Sequence, residues 1–317
     1  MDLIADIGAT NSRCALVDRQ GGIVAQQVFE NADFDGLESV LESYLRQRRS
    51  SDQPRNAALA VAAPILDDQV SMINIDWQFA QTELRERLQL NRLNVINDFA
   101  AIAFSLPHWQ DSELYHLGGG QGKPLGTRAC VGPGSGLGVA SLVHGSDDWH
   151  AVAGEGGHVN LAAQNDAEAE IVAMIRDEYG HCSAERALSG PGLVLLYQCI
   201  ARRAKRKAAD LTPEQVTELA RQGDPLARET LAVFFRFLGD VAGDLALTTG
   251  ATGGVFVAGG IVGQLLEEIA DSDFRSRFEN KGRYQGYMEQ IPTAVILDPV
   301  PAFRGLVRYL GHPTGSG

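Results

Sequence analysis

Leu3-Ile4-Ala5-Asp6-Ile7-Gly8-Ala9-Thr10-Asn11-Ser12-Arg13-Cys14-Ala15-Leu16-Val17 decides the fold. Residues 3–7 read as a short apolar strand and residues 13–17 as a second, with small residues turning the chain between them. A third strand, 23–29, follows the turn Arg19-Gln20-Gly21-Gly22. Three consecutive strands in a meander imply a mixed sheet, not a purely parallel one. Outward from this opening, strands alternate with helices. Leu37, Val40, Leu41, Tyr44 and Leu45 fall at i, i+3, i+4, i+7 and i+8 of a helix. A buried strand over 57–61 closes at Pro64, a charged helix covers 82–88, and a strand over 93–96 runs into Asn97-Asp98 and a helix over 99–105.

Residues 107–124 turn loop-like, with Gly118-Gly119-Gly120 and Gly122, and a domain boundary is expected near there. The second half repeats the opening device: a strand over 129–131 enters Gly132-Pro133-Gly134-Ser135-Gly136-Leu137-Gly138. Helices are expected over 168–179, 192–203 and about 226–247. A buried strand over 255–258 ends at Gly259-Gly260 before a helix over 262–269. The last strand is 295–297 and the last helix about 303–310. This alternation specifies α/β architecture, and a glycine-bearing turn beside a short strand near the start of each half points to two related halves.

A chain of 317 residues exceeds one ordinary core and fits two domains. With 44% hydrophobic and 21% charged residues it is globular, not disordered. Its 40 acidic against 27 basic residues give a formal net charge of −13, which disfavours nucleic acid and anionic membranes as partners. Any bound phosphate must therefore be held locally, by backbone N–H groups or a metal. Cys14, Cys130, Cys182 and Cys199 form no C-x-x-C pair, so buried reduced thiols are expected and a zinc site is not. Met1 leads into Leu3-Ile4 without a basic region before an apolar one, and no run of about 18 apolar residues occurs. Neither a secretory leader nor a membrane span is expected, and the cytoplasm is the expected location.

Small residues in Asp6-Ile7-Gly8-Ala9-Thr10-Asn11 let backbone N–H groups approach an anion, though an ordinary hairpin has the same look. Asp6 cannot bind phosphate itself; beside phosphates it would hold Mg²⁺ through water. The second glycine turn lacks the third glycine of a dinucleotide fingerprint, having Val139 there, and Gly122-Lys123 is followed by Pro124, which breaks a Walker A motif. The protein-kinase motif set is missing as well. Gly253-Gly254-Val255-Phe256-Val257-Ala258-Gly259-Gly260 suits either a nucleoside lying over backbone or close helix–strand packing. Asn97-Asp98 stands at the carboxyl end of a strand, where α/β folds bind ligands, though taken alone Asp98 reads more simply as a helix cap. Gly154-Glu155-Gly156-Gly157-His158 sets a carboxylate and an imidazole on flexible backbone, able to bracket vicinal sugar hydroxyls; a satisfied structural histidine is the alternative reading. Ser183-Ala184-Glu185-Arg186 and Leu188-Ser189-Gly190-Pro191-Gly192 read on their own as a capped helix and a turn.

Together and in this order, these blocks resemble the bacterial glucokinase family of the actin/hexokinase/heat-shock ATPase superfamily. Residues 6–11, 96–101, 131–140, 154–160, 183–197 and 253–263 carry the resemblance, which runs through about the first 298 residues and includes 72–77 and 274–283. It implies two ribonuclease H-like α/β domains with mixed sheets flanked by helices and a ligand cleft between them. The small domain would take 1–108 plus 299–317 and the large one 109–298. The implied reaction is ATP-dependent phosphorylation of D-glucose at its 6-hydroxyl, feeding glycolysis, in a homodimer. By the same resemblance Asp98 becomes the base. Asn97, Asp98, Glu155, His158 and Glu185, with Asn74, become the glucose set. Asp6, Ile7, Gly8, Ala9, Thr10 and Asn11, and Gly134, Ser135 and Gly136, become the phosphate turns. Gly259 and Gly260 join the adenosine site, and Asp6 the Mg²⁺ site.

Three positions depart from the family pattern. Ala9 replaces a second glycine and would cost about 1 kcal/mol if that position requires positive φ. Pro301-Ala302-Phe303-Arg304-Gly305 replaces a glycine-rich run, which bears on how the last helix packs. Ser135 replaces a more usual threonine. Kinases for other hexoses often carry a cysteine-rich zinc motif after the Glu-x-x-His claw, and only Cys182 and Cys199 occur in that region. A sugar-responsive transcription factor would need a helix-turn-helix before the first strand, where only two residues precede Leu3. The remaining alternative, a catalytically silent sugar sensor, is opposed by the intact Asp98.

Overall fold

Burial of Leu3, Ile4, Ala5 and Ile7 commits β1 (Asp2–Ile7) to the interior of a sheet. The computed structural model describes residues 1–312; the last five residues of the expected small-domain segment 299–317 lie outside them. The chain divides into two units: Met1–Trp109, Trp149–Ala153 and the described chain from Val300 on form the first, and Gln110–Asp148 with Gly154–Pro299 the second.

In the first unit β1 pairs antiparallel with β2 (Asn11–Val17), which pairs antiparallel with β3 (Ile23–Glu30). On its other side β1 runs parallel to β4 (Asn56–Val61). A separate ribbon, β5 (Gln69–Ser71) with β6 (Gln78–Ala80), carries the chain to β7 (Arg92–Asn97), which closes the five-strand order β3-β2-β1-β4-β7 beside β4. This is the mixed sheet that the opening meander specifies. Helix α1 (Leu37–Arg46) buries Leu37, Val40, Leu41, Tyr44 and Leu45, the face its spacing marks out. Helices α2 (Gln81–Arg87) and α3 (Asp98–Ser105) follow.

The last helix, Pro301–Tyr309, crosses α3 with backbones nearly touching. A Cβ on Gly305 would collide with the carbonyl oxygen of Ala101. One glycine, in place of a glycine-rich run, is enough for this close approach. The Phe104 and Tyr309 rings lie 5.1 Å apart beside it, and the Arg304 guanidinium sits 3.8 Å over the Trp109 ring.

The second unit opens with β8 (Leu114–Gly118), inside the stretch expected to be loop. Its glycine-rich continuation hid a strand that pairs antiparallel with the final strand. Next come β9 (Arg128–Pro133) and β10 (Leu137–His144), while β11 (Trp149–Gly154) falls in the first unit but for its last residue. The remaining strands are β12 (Gly254–Val257) and β13 (Thr293–Ile296). Five strands of this sheet run β10-β9-β12-β13-β8, again mixed.

Helices α4 (Asp166–Tyr179), α5 (Ala184–Ala187), α6 (Gly190–Arg203), α7 (Pro213–Arg221) and α8 (Pro225–Thr249) follow β11. The expected 262–269 helix is broken after Gln264 into α9 (Gly260–Gly263) and α10 (Leu266–Ala270). The turns α11 (Phe274–Glu279) and α12 (Gln285–Met288) complete the unit.

Asp224 caps α8 through the Leu226 and Ala227 amides, Pro225 starts it, and Gly250 in left-handed conformation ends it. Between α4, α8 and α11 a charged cluster is buried. Glu168, 1% exposed in its side chain, accepts from Arg277 at 2.8 and 2.9 Å and from Arg236 at 3.2 Å. Arg277 also pairs with Asp240, and Gln164 N–H donates to Glu168 at 2.9 Å.

All four cysteines are buried free thiols. No helix among the described residues is long and apolar enough to cross a membrane.

Candidate functional site

In the first unit the register alone assembles a strand-end row. Ile7 of β1 lies beside Val61 of β4, and Val61 beside Asn97 of β7, all three strands being parallel. At about 4.8 Å per strand, the Gly8–Asn11 turn and Asn97-Asp98 emerge from the same edge about 10 Å apart. That edge is the carboxyl end, where parallel strands offer ligand sites.

The Asn-Asp pair divides its labour. Asn97, not Asp98, caps α3: its Oδ1 accepts the Ala100 amide at 3.1 Å while Nδ2 donates to the Ala63 carbonyl at 3.4 Å. Asp98 is the first residue of the helix, and its Oδ1 accepts the Phe99 amide at 2.9 Å. A carboxylate in that first turn is favoured by the helix dipole by about 0.3–1 kcal/mol. Asn74 sits exposed between β5 and β6, in the turn closed by Met72 N–H to Trp77 C=O at 3.0 Å.

The Gly8–Asn11 turn is closed by the Gly8 amide to the Asn11 carbonyl at 3.0 Å. Neither Gly8 nor Ala9 has positive φ, so alanine at position 9 carries no strain. Asp6 faces Arg13 across β1 and β2, with oxygen and nitrogen 3.5 Å apart. Burial pushes the Asp6 carboxyl above its ordinary range, and Arg13 opposes that without cancelling it. A desolvated carboxylate with one partner at this distance suits a water-bridged Mg²⁺. No cluster of three metal-ligating side chains exists among the described residues, so the ion's other ligands would be phosphates and water.

The second unit repeats the row. β12 lies parallel to β9 with Val257 beside Val131, so Gly134–Gly136 and Gly259–Gly260 leave the same carboxyl edge. Gly259 has φ +98°, and a Cβ there would stand 2.6 Å from the Pro133 carbonyl oxygen. This glycine serves both the turn and the close approach of the two segments. Within the Gly134–Gly136 turn the Gly134 amide donates to the Gly136 carbonyl at 2.8 Å. The Gly190 amide at the start of α6 donates to the Gly134 carbonyl, also at 2.8 Å. Ser135 is exposed at the tip.

Glu185 and His158 meet because two segments are zipped together. Ala184 N–H donates to Val159 C=O at 2.9 Å, Leu161 N–H to Cys182 C=O at 3.0 Å, and Asn160 and Ser183 form a bridge. The result places His158 Nε2 4.0 Å from Glu185 Oε1. Glu185 Oε2 accepts the Leu137 amide at 2.9 Å, so one carboxylate spans the imidazole and the end of the glycine turn.

Ser183 caps the short α5 through the Arg186 amide at 3.3 Å, and Ser189 caps α6 through the Gly192 amide at 3.0 Å. Glu155 is exposed, with its carbonyl accepting the His158 amide at 3.0 Å. The glycines of this claw are not there for flexibility. A Cβ on Gly157 would collide with the Leu137 carbonyl oxygen, and one on Gly156 would lie 2.9 Å from Val139 Cγ1. They let the claw press onto β10.

Three partners escaped the sequence reading: the Leu137 amide, the Gly190 amide and the buried Asn31, whose side chain holds the Gly8–Asn11 turn. None has a local signal, since each depends on strand register or on segments far apart in sequence.

In the first unit the Gly8–Asn11 turn leaves the same sheet edge as Asn97-Asp98, and in the second Glu185 joins His158 to the end of the Gly134–Gly136 turn; backbone amides in such turns suit anions, and carboxylate and imidazole groups suit hydroxyls. The family model described as glucokinase matches residues 3–312. Glucokinase of Paramagnetospirillum magneticum is 43% identical over 321 residues, spanning 100% of this chain and 99% of its own. Glucokinase of Neisseria meningitidis is 43% identical over 311 residues, spanning 98% and 94%. The crystal structure of a glucokinase from an Antarctic psychrotroph superposes with a TM-score of 0.85 at 34% identity, covering 97% of this chain and 98% of that one. Since the likeness runs through every segment that carries a candidate site residue, the chain belongs to the glucokinase family.

Proposed function

We propose that the protein transfers the γ-phosphoryl group of ATP to the 6-hydroxyl of D-glucose. The observation that carries this reading is the strand-end row Ile7, Val61, Asn97. It sets the Gly8–Asn11 turn and the Asp98 carboxylate at one edge of one sheet, which supports reading the turn as a phosphate site and Asp98 as the base. Family membership supplies the sugar and the donor.

Asp98 orients the glucose 6-hydroxyl and takes its proton as the bond from O6 to the γ-phosphorus forms. The bond from that phosphorus to the β–γ bridging oxygen breaks, and ADP leaves. Asn97, by capping α3, fixes where the Asp98 carboxylate stands, and its amide serves a ring hydroxyl. Glu155, His158 and Glu185 hold the other hydroxyls, with Asn74 as an outer contact. An analogue lacking one hydroxyl leaves one of these groups unpaired, which is how a polar site discriminates.

The Asp6–Asn11 and Gly134–Gly136 turns receive the phosphates on backbone amides not already bonded within them, and Gly259-Gly260 the adenosine. Mg²⁺, held through water by Asp6, neutralises charge on the phosphate oxygens when it is bound. A cytoplasmic homodimer feeding glycolysis belongs to the same reading, supported by family membership, and light scattering tests the dimer.

The deciding experiment is ATP-dependent glucose phosphorylation, read through a coupled dehydrogenase, for wild type and Asp98→Asn. Turnover by the wild type with a loss of about 10²–10⁴-fold in the variant supports the activity and the base. Turnover with another hexose but not glucose would move the substrate. Glucose binding without turnover on any sugar would leave a sensor.

A further inference from the structure

Asn31 follows β3 and is 2% exposed, yet it carries a full set of polar contacts. Its Nδ2 donates to the Gly8 carbonyl at 2.9 Å and to the Ala9 carbonyl at 3.2 Å. Its Oδ1 accepts the Ser12 hydroxyl at 2.7 Å, and its own amide donates to the Thr10 carbonyl at 2.9 Å. Three successive carbonyls of the turn therefore point at one residue.

A trans peptide directs its N–H opposite to its C=O, and no cis peptide bond occurs among the described residues. Holding the Gly8 and Ala9 carbonyls inward thus turns the Ala9 and Thr10 amides outward. Neither amide donates to another backbone group among the described residues. Two adjacent outward N–H groups are the elements of an anion-binding nest.

We infer that Asn31 is the positioning residue of the phosphate turn, its side-chain amide setting the direction of the Ala9 and Thr10 N–H donors. The inference rests on the reading of Asp6–Asn11 as a phosphate turn. The nucleotide does not touch Asn31; the side chain acts through the two peptide planes that it grips. Ser12 fixes which way the Asn31 amide faces, because a hydroxyl donating to Oδ1 leaves Nδ2 for the carbonyls.

Asn31→Asp tests this by setting a carboxylate oxygen against two carbonyl oxygens at nearly constant volume. At saturating glucose, the ATP KM is expected to rise about 10-fold or more, from the loss of two hydrogen bonds to the turn. Glucose Kd measured without nucleotide is expected to stay within about 2-fold, since the sugar contacts are not touched. A role in stability alone would lower Tm while leaving the ATP KM unchanged, and that result overturns the inference.

Asn31→Ser, which keeps one hydroxyl donor, is the milder variant should the first not fold; it is expected to fall between wild type and Asp. An Asn31→Ser protein with wild-type ATP KM overturns the inference too. Thr10→Pro deletes one amide donor outright. If it leaves the ATP KM unchanged, the phosphate-turn reading itself fails; if it raises that KM and the Asn31 variants do not, only the role of Asn31 fails.

Discussion

Glu185 Oε2 accepts the Leu137 amide hydrogen at 2.9 Å, one residue beyond the Gly134–Gly136 turn. Its other oxygen lies 4.0 Å from His158 Nε2. The carboxylate proposed for the sugar is thereby tied to the turn proposed for phosphate. The absence of a side chain at Gly136 makes room for it, because a Cβ there would run into Oε2.

Gly136→Ala is therefore expected to displace Glu185 and break its bond to Leu137. The expected result is a glucose KM raised about 10-fold, equivalent to one charge-assisted hydrogen bond of about 1.5 kcal/mol or more. Initial-rate kinetics at varied glucose check it, and an unchanged KM would show that the sugar does not need Glu185 where it stands.

Ala9→Gly tests the opposite case. Position 9 has no positive φ, so glycine there relieves nothing and adds freedom to the unfolded chain. A loss of about 0.4–1 kcal/mol in stability is expected. The kcat is expected to stay within about 2-fold of the parent. Chemical denaturation and the coupled assay read the two separately.

Gly305→Ala inserts a methyl group where the last helix touches the Ala101 carbonyl. Helix α3 must shift or the crossing must open, at a cost of about 1–3 kcal/mol by analogy with overpacked cores. Because α3 begins at Asp98, kcat is expected to fall with stability. A thermal melt together with kcat checks the coupling; a lowered Tm with full kcat would separate helix position from catalysis.

The legible parts of this fold were the periodic ones. The α1 face, β4 and the two glycine turns follow from spacing within a few residues. The ribbon β5–β6 has strands of three residues, too short for a period to register. β8 was masked by the glycines that follow it. Helix α7 does carry a local signal, since Thr212-Pro213-Glu214-Gln215 forms a capping box with Pro at its start.

In the site, Asn97 and Asp98 were visible as a pair, but which of them caps α3 depends on side-chain direction. Gly156 and Gly157 looked like flexible hinges and prove to be contact points against Leu137 and Val139. Such distinctions need the neighbouring strand, which local sequence does not name.

The buried cluster around Arg277 predicts how stability responds to acid. Desolvation pushes the Glu168 carboxyl upward, but the bonds from Arg277 and the Gln164 amide outweigh it and hold the group below its ordinary range. A depressed carboxylate contributes stability above its unfolded pKa of about 4.3, and that contribution is lost as pH falls through the lower folded value. Asp240 runs the other way: burial raises it despite Arg277, so ionising it costs stability as pH rises through the unfolded value.

Glu168→Gln leaves Arg277 and Arg236 short of a buried counter-charge, at an expected cost of about 3–5 kcal/mol near neutral pH. Urea titrations from pH 7 downward should show the gap to wild type narrowing below about pH 4.3, where the unfolded parent takes up a proton that its folded state still resists. A gap constant with pH would show that packing, not ionisation, sets the cost.

The contact of Gly305 with Ala101 also orders events during synthesis. Helix α3 leaves the ribosome early, while the helix that covers it emerges only after the roughly 190 residues of the intervening stretch have been made. At about 5–20 residues per second, that delay is on the order of 10–40 s. Throughout it the nascent chain holds Asp98 on a helix whose packing partner has yet to be translated. A polypeptide truncated before Pro301 should therefore present an uncovered α3, the helix that carries Asp98, to chaperones and proteases.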